Sequence, residues 1–382
     1  MAGMAKKKKV RRFYDFSLLF IIIFLTMFGL IMIYSSSAYN AQVLGRKPSY
    51  LMTRQGGIAL AGFFIMLIIS KMDYHIFALF TVPSIIVSYV CVFLVMFTPL
   101  GIEVNGKKRW LGTQSVRFQP AELVKISVIL VLAVMITKLG KKINEWHSWG
   151  MIAVLILPLA LLVTANNLSS GIIICGIVFV MMFIACKKIW PFLATAVTLA
   201  TIFIFAAPVA TALLKAGLLK EYQLMRILVW KNPEAYSLKG GYQVLQGLYA
   251  IGSGRLLGKG LGQSIQKLSF LPEPQNDMIF AIICEELGLF GAVFVILLFL
   301  FMIYRFMVIA GNAPDLFGAL LVIGVMAHIA IQVILNIAVV TNVIPNTGIT
   351  LPFISYGGTS VLFLMIEMGM VLSVSNQIRL ER

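Results

Sequence analysis

The stretch Phe16-Ser-Leu-Leu-Phe-Ile-Ile-Ile-Phe-Leu-Thr-Met-Phe-Gly-Leu-Ile-Met-Ile-Tyr34 carries no charge, and it follows Lys6, Lys7, Lys8, Lys9, Arg11 and Arg12. A helix that crosses a bilayer takes about 20 mostly apolar residues. A cleaved secretion signal has an apolar core of only about 7–15. The stretch therefore reads as a retained first span, with the six cations holding the N-terminus in the cytoplasm. Further apolar runs begin near Ile58, Ile76, Ala121, Trp149, Gly171, Ile189, Met278, Asp315 and Gly358. Together they predict about ten spans. None shows the period of two that barrel strands need, so the expected class is an all-α polytopic membrane protein.

Composition agrees. Of 382 residues, 60% are apolar and 12% charged, with a mean hydropathy of +0.97. Soluble domains run about 45–50% apolar and about 25% charged. A soluble globular enzyme, a disordered chain and a soluble nucleic-acid binder are excluded. The chain reads as one domain over 1–382, with a basic cytoplasmic tail at 1–15 and a large outer loop at 216–277. That loop is amphipathic and Gly-rich, and is expected to pack against the membrane surface.

The net charge of +17, from 31 Lys+Arg against 14 Asp+Glu, divides between the two sides. Ten spans put both ends in the cytoplasm. Lys71, Lys138, Lys141, Lys142, Lys187, Lys188, Arg305, Arg379 and Arg382 then lie inside, as cytoplasmic cations should. About half the cations fall outside, at Lys107, Lys108, Arg109 and Arg117 and from Lys215 through Lys267. There the orientation rule gives them no role. Arg109, Arg226, Arg255 and Lys259 lie among the aromatics Trp110, Tyr222 and Trp230, a combination that suits an anionic lipid head group, above all a diphosphate. The bland alternative is a solvated loop attracted to phospholipid.

Ionisable groups within spans are expensive and therefore informative. Glu122 and Lys125 are three apart and share a helix face, either as a self-neutralising structural pair or as the lining of a polar cavity. Asp277 opens the eighth span, where it reads either as a helix cap or as a general base at the outer face. Glu285 lies roughly 12 Å deeper and is offset by about 80°. Glu286 is turned about 180° from Asp277, so the two glutamates are expected to serve different partners. Glu367 has no partner legible in the sequence, and His328 reads as a hydrogen-bonded core residue. Cys91, Cys175, Cys186 and Cys284 fall within spans and read as packing residues. Gly252-Ser-Gly254-Arg-Leu-Leu-Gly-Lys-Gly260 resembles a nucleotide loop only loosely, since it follows no strand and faces outward.

Several blocks together carry a specific resemblance. They are Gly106-Lys-Lys-Arg-Trp110 with Val116-Arg-Phe-Gln-Pro-Ala-Glu122-Leu-Val-Lys125; Tyr242-Gln-Val-Leu-Gln-Gly-Leu-Tyr-Ala-Ile-Gly-Ser-Gly254 with Gly258-Lys-Gly-Leu-Gly262; Leu271-Pro-Glu-Pro with Asp277; and Pro345-Asn-Thr-Gly-Ile-Thr-Leu-Pro-Phe-Ile-Ser-Tyr-Gly-Gly-Thr-Ser360. In this order they resemble the SEDS family (shape, elongation, division and sporulation proteins) over nearly the whole chain. The resemblance implies a bacterial peptidoglycan glycosyltransferase of the cytoplasmic membrane. Such a protein polymerises lipid II at the outer face beside a class B penicillin-binding protein, at the septum with other divisome proteins if of division type.

The resemblance makes Asp277 the catalytic base. It places Lys107, Lys108, Arg109, Trp110, Glu122, Lys125, Arg226, Lys259, Glu285, Glu286, Ser355 and Ser360 in the substrate-binding or cavity set. A divalent cation, Mg or Mn, on the lipid diphosphate is compatible with this, although no ligand cluster marks one. One departure stands out: Asn166-Asn167-Leu168 occupies the place where the family often has Pro-Asp-Leu-Gly, and an Asn cannot act as acid or base. Tyr14-Asp-Phe-Ser-Leu-Leu, Ile33-Tyr-Ser-Ser-Ser37 and Val340-Thr341 are more similar to the division branch than to the elongation or sporulation branches. A lipid II flippase and a non-catalytic scaffold are the competing expectations.

Overall fold

The computed structural model describes residues 11–104, 107–112, 117–215 and 221–380. Lys6 to Lys9 of the basic tail and Arg382 lie outside the described residues, as do the side chains of Lys107 and Tyr222. Fourteen α-helices are described. They are α1 Phe16–Val43, α2 Tyr50–Lys71, α3 Ile76–Leu79, α4 Thr81–Phe97, α5 Pro120–Leu139, α6 Trp146–Asn166 and α7 Leu168–Ala185. There follow α8 Trp190–Ile204, α9 Ala206–Lys215, α10 Glu221–Lys231, α11 Tyr242–Gly254, α12 Ile279–Gly311, α13 Leu316–Val340 and α14 Ser360–Gln377.

Among the described residues, eight helices are long and apolar enough to span a membrane. The pair α8 and α9, bent by 85°, adds a ninth, and α4 is a shorter apolar helix. The chain ends constrain the count. Strand β1, Arg11–Arg12, pairs antiparallel with a strand at Arg379–Leu380. Ends on one face require an even number of crossings, so the bent pair and α4 cross together or not at all. Contacts at opposite ends favour crossing. Trp149, at the start of α6, touches Phe192 near the start of α8, while Phe203 touches Trp230, whose indole donates to the carbonyl of Asn342 beyond the end of α13.

The terminal face is locked by Asp15. Its carboxylate accepts from Leu18 N at the start of α1 and from Arg305 on α12 at 2.7 Å, and its own N–H donates to Ser375 on α14. Lys71, Lys138, Lys141, Lys142, Lys187 and Lys188 close helices or turns on this same face. At the bundle centre stand α5, α13 and α14. The α14 backbone approaches α2 closely at Gly369, where a Cβ would press on Ile69 and the Met66 carbonyl. Small residues let apolar helices pack tightly without help from water.

The segment before α5 forms a three-stranded antiparallel sheet. Its strands are β2 Gly101–Val104, β3 Lys107–Gly112 and β4 Arg117–Phe118; the strand at Arg379–Leu380 is β5. The spans are helical, as expected; the sheet lies in the connection between α4 and α5. An open sheet edge is tolerated only beyond the hydrocarbon, where water satisfies it.

The loosely nucleotide-like run has a structural task. Helix α12 breaks at Gly288, with φ +67° and ψ −166°. The freed carbonyls of Glu285 and Glu286 accept from Lys259 N and Gly260 N, and Leu289 N and Phe290 N donate to the carbonyls of Arg255 and Leu256. Residues 255–260 are thus a strap threaded through the break. It satisfies backbone groups that a kink inside the membrane boundary would leave bare.

Candidate active site

Asp277 lies one residue before the Met278 cap of α12, at the face opposite the chain ends. It is not a helix cap: α12 has no side-chain capping bond. Its residue is partly exposed, yet Oδ1 is buried and has no hydrogen-bond partner among the described residues. Burial pushes its pKa up from 3.8 to about 7. Glu273 adds to the rise, while Arg226 on α10 and Gln243 on α11 oppose it. A carboxyl raised toward neutrality, with one oxygen unpartnered among the described residues, can take a proton from a hydroxyl.

The surroundings of Asp277 come from four segments. Gly348, with φ +71°, faces Oδ2, and a Cβ built there would lie 3.8 Å from it. Arg226 donates to the carbonyl of Asn346 at 3.0 Å, and Asn346 donates to Gln243 at 3.1 Å while accepting from Gly348 N at 3.0 Å. Asn336 on α13 donates to the carbonyl of Asp277 at 2.9 Å. The block from Pro345 thus folds over the carboxylate; side chains from α10 and α13 hold its backbone, and Gln243 on α11 holds the Asn346 side chain.

Further along that block, Ser355 is buried and accepts from Leu351 N at 2.8 Å, closing a turn. Ser360 donates to the carbonyl of Gly357 at 2.8 Å at the start of α14. Both bonds serve the loop itself. Tyr356 is buried enough for its hydroxyl to titrate above its usual value, although Arg54 and Arg117 lie near it and pull the other way. Arg54, at the start of α2, was not legible as a site residue, because nothing in sequence distinguishes it from a span-end cation.

Lys125 and Glu122 form a buried ion pair of 2.9 Å in the first turns of α5, with Pro120 opening the helix. They do not stand alone. Gln332 on α13 accepts from Lys125 at 3.4 Å and pairs with His328 at 2.9 Å, and His328 reaches Glu367 on α14 at 2.8 Å. Gln332 spends its own N–H on the carbonyl of Thr350. Its Oε1 is therefore the acceptor, and His328 Nε2 must carry a hydrogen. One further proton lies between His328 Nδ1 and Glu367. The partner of Glu367 could not be read from sequence, since it sits on another helix at i−39.

Three expected anion-site or cavity residues belong elsewhere. Glu285 and Glu286 are fully buried. Glu285 pairs with Lys259 at 2.6 Å and Glu286 with Lys267 at 2.8 Å, so the expectation of different partners is met. Ser264, Ile265 N and Ser35 supply further donors to the two carboxylates. Lys259 is thus committed to a carboxylate and is corrected from a head-group cation to a strap anchor. Lys267 escaped sequence reading because its partner is 19 residues away.

Arg109 on β3 donates to the carbonyl of Asn166 at 2.8 Å. With Lys108, Gln119 and Asn167 it lines a small cavity between α4, α5 and α6. Trp110 is half-buried on the same strand. Asn167 caps α7 by accepting from Ser170 N at 3.3 Å, and Ser169 donates to the Thr347 carbonyl. That end of α7 therefore supports the block over Asp277. No group of three or more His, Cys, Asp or Glu is placed to hold a metal among the described residues.

Known proteins match this chain over nearly its full length. Stage V sporulation protein E of Bacillus subtilis is 36% identical over 368 residues, covering 96% of this chain and 98% of the relative. The probable peptidoglycan glycosyltransferase FtsW of Trichlorobacter lovleyi is 33% identical, covering 96% and 94%. A solved chain described under "Structural coordination of polymerization and crosslinking by a peptidoglycan synthase complex" superposes with a TM-score of 0.75 at 25% identity, covering 96% and 98%. The rod shape determining protein RodA of Thermus thermophilus shares the fold, with a TM-score of 0.68 at 23% identity, covering 96% and 97%. Residues 16–380 match the family described as cell cycle protein, comprising FtsW, RodA and SpoVE. The multi-pass helical bundle, its ordered motifs and these matches agree, and the chain belongs to the FtsW/RodA/SpoVE family of membrane proteins.

Proposed function

We propose that this protein is a peptidoglycan glycosyltransferase that polymerises lipid II at the outer face of the bacterial cytoplasmic membrane, with Asp277 as general base. The observation that carries the reading is the Asp277 carboxyl at the face opposite the chain ends: its buried Oδ1 has no hydrogen-bond partner among the described residues, and burial pushes its pKa up to about 7. That face is read as the outer one because the short connections opposite it carry the lysines.

In this mechanism Asp277 takes the proton of an acceptor sugar hydroxyl. The freed oxygen forms a bond to the donor's anomeric carbon, and the bond from that carbon to the lipid diphosphate breaks. The diphosphate leaves with the electron pair. Its growing charge is the larger electrostatic demand. Arg226, exposed and already directed at the block over Asp277, is the cation best placed to meet it, with Arg109 and Arg117 on the neighbouring sheet. A single base suffices, because inversion needs no covalent enzyme intermediate.

The natural partner in this reading is a class B penicillin-binding protein, which cross-links the strands. The division role, at the septum, rests on the Tyr14 and Ile33 blocks. The sporulation relative at 36% identity favours a second reading with the same chemistry. Localisation of a tagged chain in dividing and in sporulating cells separates them.

The test of the chemistry is glycan polymer from purified lipid II by the full chain with its partner. Polymer is expected from the wild type and none from Asp277→Ala. Polymer at the wild-type rate from Asp277→Ala overturns the base. Transfer of lipid II across vesicles without polymer marks a flippase, and complementation by Asp277→Asn marks a scaffold.

A further inference from the structure

His328, Gln332 and Asn336 recur every fourth residue on α13 and share one face. All three are buried. A polar column inside an apolar helix is unfavourable unless each member is bonded, so its partners reveal its purpose. Two of the three hold main chain. Gln332 donates to the Thr350 carbonyl at 3.0 Å, and Asn336 donates from a single Nδ2 to the carbonyls of Ile349 at 2.6 Å and Asp277 at 2.9 Å. Those carbonyls belong to two of the segments around Asp277: the segment that ends in Asp277 itself, and the segment after Gly348, which faces its Oδ2. Asn336 Oδ1 is buried and has no partner among the described residues. The side chain's orientation is therefore set by its two donations. Only an NH2 group at this reach bridges both carbonyls; an acid lacks the donors, and an alanine leaves both carbonyls short of a bond.

We propose that Asn336 is a positioning residue, which holds the Asp277 carboxylate against the Gly348 segment by fastening the main-chain carbonyls of both. The proposal rests on the reading of Asp277 as the base. Misplacing a catalytic group by about 1 Å lowers rate on the order of a hundredfold, whereas the residues that would hold the lipid are untouched. Gln332 steadies the neighbouring carbonyl and anchors the column to Lys125 and His328. Asn336 is the member that reaches the base itself.

The test uses the full chain with its transpeptidase partner and purified lipid II, across a pH series. Asn336→Ala should lower kcat about tenfold to a hundredfold, leave KM for lipid II within about twofold, and displace the acid limb of the rate profile. The residual rate of Asp277→Asn should not fall further when Asn336→Ala is added, because both changes act through one group. Asn336→Ser, which keeps one donor, should restore part of kcat. A wild-type kcat in Asn336→Ala, a loss that appears in KM alone, or a loss that adds fully to Asp277→Asn overturns the proposal. Should Asn336→Ala not accumulate as folded protein, Asn336→Ser decides by the same readouts. If Asp277→Asn itself polymerises at the wild-type rate, the base reading fails, and that result is separate from any behaviour of Asn336.

Discussion

Gly258 and Gly288 meet backbone against backbone at the break in α12, so closely that a Cβ on either would fall within the main chain of the other. Both have positive φ, +79° and +67°. Residues 255–260 can enter the helix only because neither position carries a side chain. This contact fixes the strap to α12, and the two glutamates beside it fix the following loop.

Alanine at Gly258 or Gly288 combines a left-handed backbone with an overfilled contact. Each should lower stability by about 2 kcal/mol or more, read as a drop in melting temperature in detergent. Gly252, on α11, has nothing within 4 Å of an added Cβ, so Gly252→Ala should be neutral or slightly stabilising. Equal effects at all three positions would contradict the strap.

The pH dependence of polymerisation should report Asp277. With its carboxyl titrating at about 7, the rate should rise with pH through that value, where an ordinary carboxylate would give a flat profile. Stability should run the opposite way. The unfolded chain loses this proton near 3.8 and the folded chain only near 7. Between those values the folded state binds more protons, so stability falls as pH rises across the window. Asp277→Asn should remove that slope, as followed by melting temperature against pH.

Lys267 and Ser35 both bond the fully buried Glu286. Lys267→Met leaves that carboxylate short of its cation and should cost about 3–5 kcal/mol. Adding Glu286→Gln should recover part of the loss, since the uncompensated charge is gone. A double variant no better than Lys267→Met would refute the pairing as the cause.

Arg226 favours the ionised form of Asp277 and also donates to Asn346. Arg226→Ala should move the acid limb of the rate profile upward by less than about one unit, because an exposed charge is screened. It should also raise KM for lipid II if this cation grips the diphosphate. An unchanged profile with unchanged KM would remove Arg226 from the site.

The amino-acid sequence by itself determined the class, a bundle of apolar helical spans, and set an expectation for how charge divides between the faces. These are one-dimensional properties: a span is a run of about 20 apolar residues, and loop charge is counted along the chain. It also singled out Glu122 with Lys125, because a pair three apart meets on any helix. It could not supply partners across helices. Glu367 meets His328, Glu286 meets Lys267, and Asn336 meets Asp277 only when α12, α13, α14 and the loop that carries Lys267 pack together. Lys259 illustrates the consequence. Along the chain it is one more outward cation; in the fold its charge is neutralised by Glu285, so burial and pairing, rather than loop position, decide which cations remain for a substrate. Tertiary packing likewise turned Asp277 from a helix-end acid into a carboxyl that titrates near neutrality, since desolvation depends on what surrounds a group and not on its neighbours in sequence.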